Sequence, residues 1–321
     1  MFRPRKFGAL IALVCIIALV ISSSSALAVE KKSRKKKETP TGTAVLWREP
    51  ADIASRDLLA GPGGRASKPD LSRVTFIEEQ KGGWSKKYRV RDAAGREWVA
   101  KLSKEAQSET AAVRLLWAVG YYTEINYLVP RTEIIGKGTF ENVRFEARPK
   151  GVKRLDEWSW EKNPFVGRPE FQGLKVMMLL LNNWDVKDEN NKILQLRSEE
   201  TGRQELHYII SDLGATFGKT GKHPLLWRLT RSRNDPEDYA NSKFVDEVHK
   251  GHVFFHYGGK QQDLFEDITV EDVRWIARRL SRLSDRQISD AFRAANYSRR
   301  EVDMLTAAVR SRINELTRLR S

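Results

Sequence analysis

The sequence predicts an α+β fold with two lobes: a small antiparallel β-sheet lobe that carries one helix, and a larger, mainly helical lobe. Three observations support this division. Residues 74–101 form strand-like runs separated by glycine-containing turns, residues 105–120 have helical periodicity, and the chain is helical by pattern from residue 269 onward. Between these parts a polar segment, residues 183–190, separates apolar runs and carries candidate chemistry.

Three consecutive strand patterns open the small lobe. Residues 74–80 and 86–92 are the first two, and the turn between them contains Gly82, Gly83 and Ser85. A second tight turn leads into residues 97–101, which end in Val-Ala-Lys with Lys101 as the last residue. A Gly-Gly pair alone is most often an ordinary hairpin turn. Its position relative to Lys101 and to the polar segment gives it weight.

The helical pattern at residues 105–120 places Glu109 eight residues after Lys101. Glu109 is either an ion-pair partner that positions this lysine or a solvated glutamate on the helix surface. Residues 131–136 and 142–148 would complete a five-stranded sheet, and residues 149–151 would be the hinge between the lobes.

The polar segment and the strand pair that follows it contain the candidate catalytic residues. Asp185, Lys187 and Asn190 lie in the segment, residues 192–196 and 205–210 form a predicted ribbon, and Asp212 begins an Asp-Leu-Gly sequence. Phosphoryl transfer needs one carboxylate to orient the attacking hydroxyl, and an Asn and a second Asp to hold Mg²⁺ against the phosphates. The alternative is that both Asp residues only form turns.

The order of these parts resembles the protein-kinase-like superfamily, whose signatures include H-R-D-L-x-x-x-N, D-F-G and V-A-I-K. The pattern is more similar to the HipA-type and phosphoinositide-kinase-like branches than to eukaryotic protein kinases. Asn183-Trp184 replaces His-Arg, Leu213 replaces the Phe of D-F-G, and no A-P-E motif follows. The short spacing from Lys101 to Glu109 is a further departure.

The resemblance implies that ATP and Mg²⁺ bind between the lobes. Lys101, positioned by Glu109, would clamp the nucleotide, and amides of the glycine turn would cover its phosphates. Asp185 would accept or orient the proton of the acceptor hydroxyl, and Lys187 would neutralise charge on the transferred group. Asn190 and Asp212 would supply oxygen ligands to Mg²⁺. The cofactor-binding candidates are therefore Gly82, Gly83, Ser85, Lys101 and Glu109, the catalytic ones Asp185 and Lys187, and the metal ligands Asn190 and Asp212.

The N-terminus has the pattern of a secretory signal peptide, residues 1–28. Arg3, Arg5 and Lys6 precede a short apolar run, and Ala26-Leu27-Ala28 follows it, so cleavage is expected between Ala28 and Val29. The run from residue 7 to residue 21 is shorter than the roughly 20 residues of a membrane span. An uncleaved N-terminal anchor is the alternative. Cys15, the only cysteine, lies within this run, so a mature chain would form no disulfide.

The chain is basic, with 57 Lys and Arg against 42 Asp and Glu and a net charge of +15. Part of the excess is the run from Lys31 to Lys37, which suits a spacer attracted to an anionic membrane surface. Residues 29–70 are predicted as a linker that contains this basic run and a Gly/Pro cluster, with residues 41–70 as either a further linker or a loosely packed cover. Residues 71–150 are predicted as the small nucleotide-binding lobe, and residues 151–321 as the large catalytic lobe. No nucleic-acid-binding motif is present, so no nucleic-acid partner is expected.

The region after Asp212 is less informative. Residues 215–236 are basic, which suits either an acidic acceptor or a solvated loop. His249, His252 and His256 have helical spacing, but the residues around them favour a strand, so structural histidines are preferred over a metal site.

Two classes of function follow. The favoured one is an exported ATP- and Mg²⁺-dependent kinase whose acceptor is a protein, lipid or glycan hydroxyl. The alternative is a secreted kinase-fold binding protein or pseudokinase that holds a nucleotide or an anionic envelope ligand without turnover. Export conflicts with the scarcity of ATP outside the cytoplasmic membrane.

Overall fold

The protein consists of a sheet-rich small lobe and a larger lobe of helices and short sheets, as a computed structural model shows for residues 40–80, 85–221 and 230–320. The predicted signal peptide, the basic run and the glycine pair Gly82 and Gly83 lie outside these residues. The described strands are β1 (Thr43–Val45), β2 (Thr75–Gln80), β3 (Lys86–Arg91), β4 (Glu97–Leu102), β5 (Asn126–Ile134), β6 (Gly138–Ala147), β7 (Lys153–Arg154), β8 (Asn191–Arg197), β9 (Gln204–Ile210), β10 (Val245–His249) and β11 (His252–Phe255). The α-helices of the described residues are α1 (Glu105–Ala118), α2 (Pro169–Leu180), α3 (Pro236–Asn241), α4 (Val270–Leu280), α5 (Asp285–Arg293) and α6 (Arg299–Arg318).

The small lobe is a five-stranded antiparallel sheet with the order β2-β3-β4-β6-β5. Its strands and α1 confirm the predicted α+β organisation, with ends that differ from the predicted ones by a few residues. The register sets Lys101 of β4 opposite Lys87 on one side and Arg144 on the other. Side chains directly opposite each other project from the same face of a sheet. The face that carries Lys101 is therefore lined with charge.

The small lobe has its own apolar core on the other face of the sheet. The fully buried members include Val90, Ala100, Val143 and Phe145, which alternate with the charged residues along β3, β4 and β6. This alternation is the period-two pattern that a strand imposes on its side chains. One sheet thus separates an apolar core from a charged cleft.

The ribbon predicted at residues 192–196 and 205–210 is present as β8 and β9. It belongs to a four-stranded sheet with the order β1-β9-β8-β7, in which β1 pairs parallel with β9. The polar segment enters this ribbon through a single 3₁₀ turn, Asp188–Asn190. Because α2 ends at Leu180 and β8 begins at Asn191, the segment lies between two fixed elements.

Of the two alternatives for residues 41–70, a linker or a cover, the described residues 43–60 form a packed cover. β1 belongs to a sheet, and Ile53 and Leu58 are fully buried. The indole N–H of Trp47 donates to the carbonyl oxygen of Val119 at 2.7 Å. The backbone N–H of Arg48 donates to the carbonyl oxygen of Gly120 at 3.1 Å. The buried residues are isolated in sequence and lie beside a Gly/Pro cluster, so no periodic pattern marks them. We call residues 43–60 the cover segment.

The large lobe is built on α2, whose residues from Phe171 to Leu180 are all buried. The apolar run that precedes the polar segment in the sequence is therefore this buried helix. Thr269, Ser284 and Ser298 each form a capping box at the start of α4, α5 and α6, which satisfies the free N–H groups of the first turn. Within residues 40–80, 85–221 and 230–320, no helix combines the length and apolarity required to span a membrane.

Candidate active site

The predicted lysine–glutamate pair is formed inside the small lobe. Lys101 Nζ lies 2.8 Å from Glu109 Oε2, and both side chains are almost fully buried. Glu109 comes from α1, which follows β4 after two residues and therefore faces the end of that strand. Arg144 Nη2 lies 2.7 Å from the other carboxylate oxygen of Glu109. The glutamate thus joins two cations that stand on neighbouring strands.

Burial and charge act in opposite directions on these groups. Burial lowers the pKa of Lys101, but the carboxylates of Glu109 and Asp212 outweigh this effect and raise the pKa above its ordinary value. Burial raises the pKa of Glu109, and the cations of Arg144 and Lys101 oppose that rise. The pKa of Glu109 stays above its ordinary value, and two cations, Lys101 and Arg144, contact its carboxylate directly. Lys101 therefore carries its charge at neutral pH.

Asp212 connects the lysine to the large lobe. Its Oδ1 lies 3.7 Å from Lys101 Nζ and accepts from the Gly214 N–H at 3.0 Å. Burial raises the pKa of Asp212, but the Lys101 cation and the Gly214 amide lower it by more. The pKa of Asp212 therefore lies below its ordinary value. A Cβ at Gly214 would lie 2.8 Å from Glu105 Cβ. The glycine therefore lets the first turn of α1 approach the Asp-Leu-Gly sequence.

The polar segment is fixed to the same site through Asn190. Its backbone oxygen accepts from the backbone N–H of Asp212 at 3.1 Å, and its Nδ2 donates to the backbone oxygen of Asp185 at 2.7 Å. Lys187 Nζ lies 3.3 Å from Asp185 Oδ2. The contacts form a continuous chain from Lys101 through Asp212 and Asn190 to Asp185. The structure thus brings these predicted residues together, and their chemical roles stay predictions.

Asn190 and Asp212 fit a Mg²⁺ site in their chemistry. The amide of Asn190 donates through its nitrogen, which leaves its carbonyl oxygen as the acceptor, and the Asp212 side chain is 42% exposed. Mg²⁺ is usually bound by one or two carboxylates, waters and substrate phosphates. Among the described residues no group of three His, Cys, Asp or Glu could hold a metal. A site completed by phosphate oxygens is consistent with both observations.

Ser85 reaches the site through a residue that the sequence did not single out. Its hydroxyl donates to Glu105 Oε2 at 3.1 Å, and the same oxygen lies 3.5 Å from Lys101 Nζ. Glu105 also pairs with Arg233. The spacing of four residues from Lys101 to Glu105 and from Glu105 to Glu109 was the available signal. The other two glycine-turn candidates, Gly82 and Gly83, lie outside the described residues.

A second buried charge cluster behind Lys101 was missed entirely. Arg144 Nη2 contacts Glu146 Oε2 at 2.7 Å, and its Nη1 lies 4.0 Å from Glu124 Oε2. Glu124 and Glu146 also contact Arg154, and Glu146 pairs with Arg148. Burial and the neighbouring Glu146 carboxylate raise the pKa of Glu124 to about 7. The cluster is therefore sensitive to pH near neutrality.

This raised pKa predicts a pH-dependent stability. The folded protein holds a proton on Glu124 between about pH 4.5 and 7 that the unfolded chain releases, so its free energy of unfolding should fall as pH rises through this window. The contribution is up to about 3 kcal/mol. Urea denaturation of wild type and Glu124→Gln from pH 4.5 to 8 measures it. A constant difference between the two proteins across that range would show that Glu124 does not titrate there.

Asp185 has a second cationic neighbour that comes from a distant loop. Lys260 Nζ lies 2.6 Å from Asp185 Oδ1. The backbone N–H of Lys260 donates to the Trp184 oxygen at 2.9 Å, and the buried Tyr257 hydroxyl contacts the backbone oxygens of Lys260 and Asn183. A Cβ at Gly259 would lie 2.8 Å from the Trp184 Cα. This loop is thus tied closely to the polar segment.

Basic residues also surround Trp184. The guanidinium carbons of Arg231 and Arg233 lie 5.3 Å and 5.1 Å from the centre of its ring. Residues 222–229 of the basic region, predicted either to bind an acidic acceptor or to be a solvated loop, are outside the described residues. The described part therefore places positive charge beside Asp185.

The histidines do not form a metal site. His249 and His252 are opposed in the β10–β11 ribbon, and His256 Nδ1 lies 3.0 Å from Asp246 Oδ1. His249 and His252 are therefore in strand conformation, as the sequence around them predicted, and His256 follows β11.

No protein-family model and no curated protein matches the sequence. Among solved structures, the chain is similar to the proinflammatory kinase CtkA of Helicobacter pylori, with 13% identity, coverage of 79% of this chain and 100% of that chain, and a TM-score of 0.46. It is also similar to the Rio2 kinase of Chaetomium thermophilum, solved as an ADP/Mg²⁺-phosphoaspartate complex, with 14% identity, coverage of 78% and 74%, and a TM-score of 0.30.

Both TM-scores are below 0.5, so these similarities carry no argument about this chain. The chain's own architecture combines a five-stranded sheet, a buried Lys101–Glu109 pair and a polar segment followed by a strand ribbon and Asp-Leu-Gly. This chain has a protein-kinase-like fold.

Proposed function

We propose that this protein is an atypical kinase that transfers the γ-phosphoryl group of ATP to a hydroxyl acceptor with the help of Mg²⁺. The observation that carries the proposal is the unbroken chain of contacts from Lys101 through Asp212 and Asn190 to Asp185. A decayed site would have no reason to retain these residue types in contact with one another.

The side chains divide the work between binding and transfer. Lys101, held charged by Glu109, clamps the phosphates, and Mg²⁺ held by Asn190 and Asp212 supplies charge neutralisation when it is bound. Asp185 takes the proton of the acceptor hydroxyl while the hydroxyl oxygen forms a bond to the γ-phosphorus. The bond from that phosphorus to the β–γ bridging oxygen breaks, and ADP leaves.

Two measurements test the proposal in sequence. Thermal unfolding with ATP and Mg²⁺ measures binding, because a ligand that binds only the folded state raises the melting temperature. Radiolabelled ATP then reports transfer to protein, lipid or glycan acceptors. Binding without ATP hydrolysis or transfer would favour the alternative, a kinase-fold binding protein. A failure to bind would contradict both.

Lys260 is expected to contribute to the same step. It places a second ammonium on Asp185, next to the position where the transferred group would gain negative charge. We expect Lys260→Met to lower kcat about 100-fold, the scale for removal of one charge-stabilising group, with partial recovery in Lys260→Arg. Lys243→Met, which removes an exposed lysine paired with Asp246, is the control. Equal activities of the two Met variants would exclude this role.

We further propose that the protein is exported after cleavage near Ala28, with an uncleaved N-terminal anchor as the alternative. The charged start, the short apolar run and Ala26-Leu27-Ala28 support this. The run from Lys31 to Lys37 would then hold the mature chain near anionic membranes, and salt would weaken that attraction. N-terminal sequencing of the protein from its own host tests the proposal: a start at Met1 in a cytoplasmic fraction would contradict it.

A further inference from the structure

A cavity separate from the kinase cleft lies behind the predicted hinge. It has a volume of about 600 Å³, within the range of small-molecule pockets, whereas the cavity at Lys101 has about 190 Å³. The hinge cavity is bounded by the loop after α1, the chain from Ala147 to Arg154, the floor of β8 and β9, and the cover segment. The kinase site described above uses none of this volume.

The hinge cavity has an aromatic and aliphatic wall. Leu194 and Leu196 project from β8, Trp117 lies at the end of α1, and Tyr122 stacks on His207 with ring centres 3.8 Å apart. All these side chains are partly exposed, so their apolar surface is available to an occupant. Flat apolar surface of this kind suits a planar ring system.

The cover segment closes the cavity on one side. Arg56 donates to the Trp117 backbone oxygen and lies with its guanidinium carbon 4.7 Å from the centre of the Trp117 ring. Arg48 lies 5.8 Å from the Tyr122 ring centre and pairs with Glu200 and Glu205. The segment is thus attached through cations that stack on the cavity's own aromatic residues.

Arginines also connect the hinge cavity to the kinase cleft. Arg148 and Arg154 line both spaces, and their side chains are 26% and 29% exposed. Arg154 contacts Glu124 and donates to the Ser211 hydroxyl at 2.9 Å, next to Asp212. Glu124 also faces Arg144 and Glu146 and accepts from Ser211. An anion in the cavity could therefore take Arg154 from a carboxylate that Arg144 and the Ser211 hydroxyl still contact.

We propose that the hinge cavity is a second ligand site, which binds a planar aromatic anion with its ring against Leu196 and Tyr122 and its anionic group on Arg154. Arginine suits this role because its planar fork pairs with anionic oxygen and is weakly hydrated. Ligand binding in the hinge cavity can be measured without phosphoryl transfer, so its test does not require kinase activity. Because Arg154 borders both spaces, the ligand and Mg²⁺–ATP should change each other's affinity by the same factor.

The test uses two fluorescent probes of nearly the same shape: 8-anilino-1-naphthalenesulfonate, which is anionic, and N-phenyl-1-naphthylamine, which is neutral. We expect Leu196→Asp and Tyr122→Ala to lower the affinity for the anionic probe at least ~10-fold. Arg154→Gln should lower the affinity for the anionic probe by a similar factor. Its affinity for the neutral probe should stay within about 2-fold of the wild-type value. Val166→Asp, which changes an exposed apolar residue elsewhere, should change neither.

Thermal unfolding identifies variants that have lost their fold, and the two cavity variants provide independent readings. Unchanged affinity of the anionic probe in folded Leu196→Asp or Tyr122→Ala would overturn the site. An equal loss in Val166→Asp would show that the probe binds exposed apolar surface in general, and would also overturn it. Equal losses of both probes in Arg154→Gln would overturn the anion preference.

Discussion

Asp185→Asn is expected to lower phosphoryl transfer at least ~100-fold while leaving the binding of Mg²⁺–ATP nearly unchanged. Asparagine keeps the size of the side chain but removes the carboxylate that accepts or orients the proton, and such groups typically contribute this much to the rate. The contacts of Asp185 with Lys187 and Lys260 do not involve the lysine that would clamp the nucleotide. Binding and transfer should therefore separate at this position.

Asp212→Asn, unlike Asp185→Asn, should mainly weaken the binding of Mg²⁺–ATP. Its carboxylate is near Lys101 and is the proposed metal ligand, so its loss should weaken Mg²⁺–ATP binding at least ~10-fold. Thermal shift against ATP concentration measures binding for both variants, and single-turnover transfer measures the chemical step. Asp303→Asn, at an exposed position on α6, controls for a charge change. Equal, small effects of the Asp185 and Asp212 changes would identify both as turn residues.

Arg144→Met should cost about 3–5 kcal/mol in the free energy of unfolding, the usual scale for breaking a buried ion pair from one side. Arg144 is 3% exposed and contacts Glu109 and Glu146, each at 2.7 Å. Methionine has a similar reach but no charge, so these carboxylates would remain buried with less compensation. Lys101 would be the main remaining cation on Glu109.

Urea denaturation at pH 7 measures this loss. Arg131→Met is the matched control, because Arg131 lies on the neighbouring strand β5 but is exposed, where a substitution typically changes stability by less than about 0.5 kcal/mol. A loss below about 1 kcal/mol in Arg144→Met would mean that the carboxylates take up protons or solvent at little cost. In that case the buried cluster would not be a major source of stability.

Local sequence was sufficient to predict most elements. The strands β2 to β4, the helix α1 and the caps of α4 to α6 follow from periodicity and end signals within short windows, which are properties of neighbouring residues. The Lys101–Glu109 pair could also be predicted, because a strand followed at once by a helix leaves few relative arrangements. The resemblance to kinases rested on such local spacings.

Long-range pairing decided what the sequence did not indicate. Arg144 looks like any charged residue in an alternating strand, and only the register of β6 beside β4 sets it against Lys101 and Glu109. Lys260 lies in a Gly-Gly loop with no periodic pattern, and Asp185 is far from it along the chain. No local signal distinguishes such residues from ordinary surface cations.

The sequence by itself therefore determined the two-lobed α+β architecture and the order of the candidate site residues, because backbone propensity, side-chain periodicity and capping act over a few residues. Only the tertiary structure decided that residues 43–60 form a cover, that Arg144 and Glu124 are buried beside each other, and that a cavity lies behind the hinge. Burial and ion pairing depend on which distant surfaces meet, and that depends on strand register and loop closure across the whole domain.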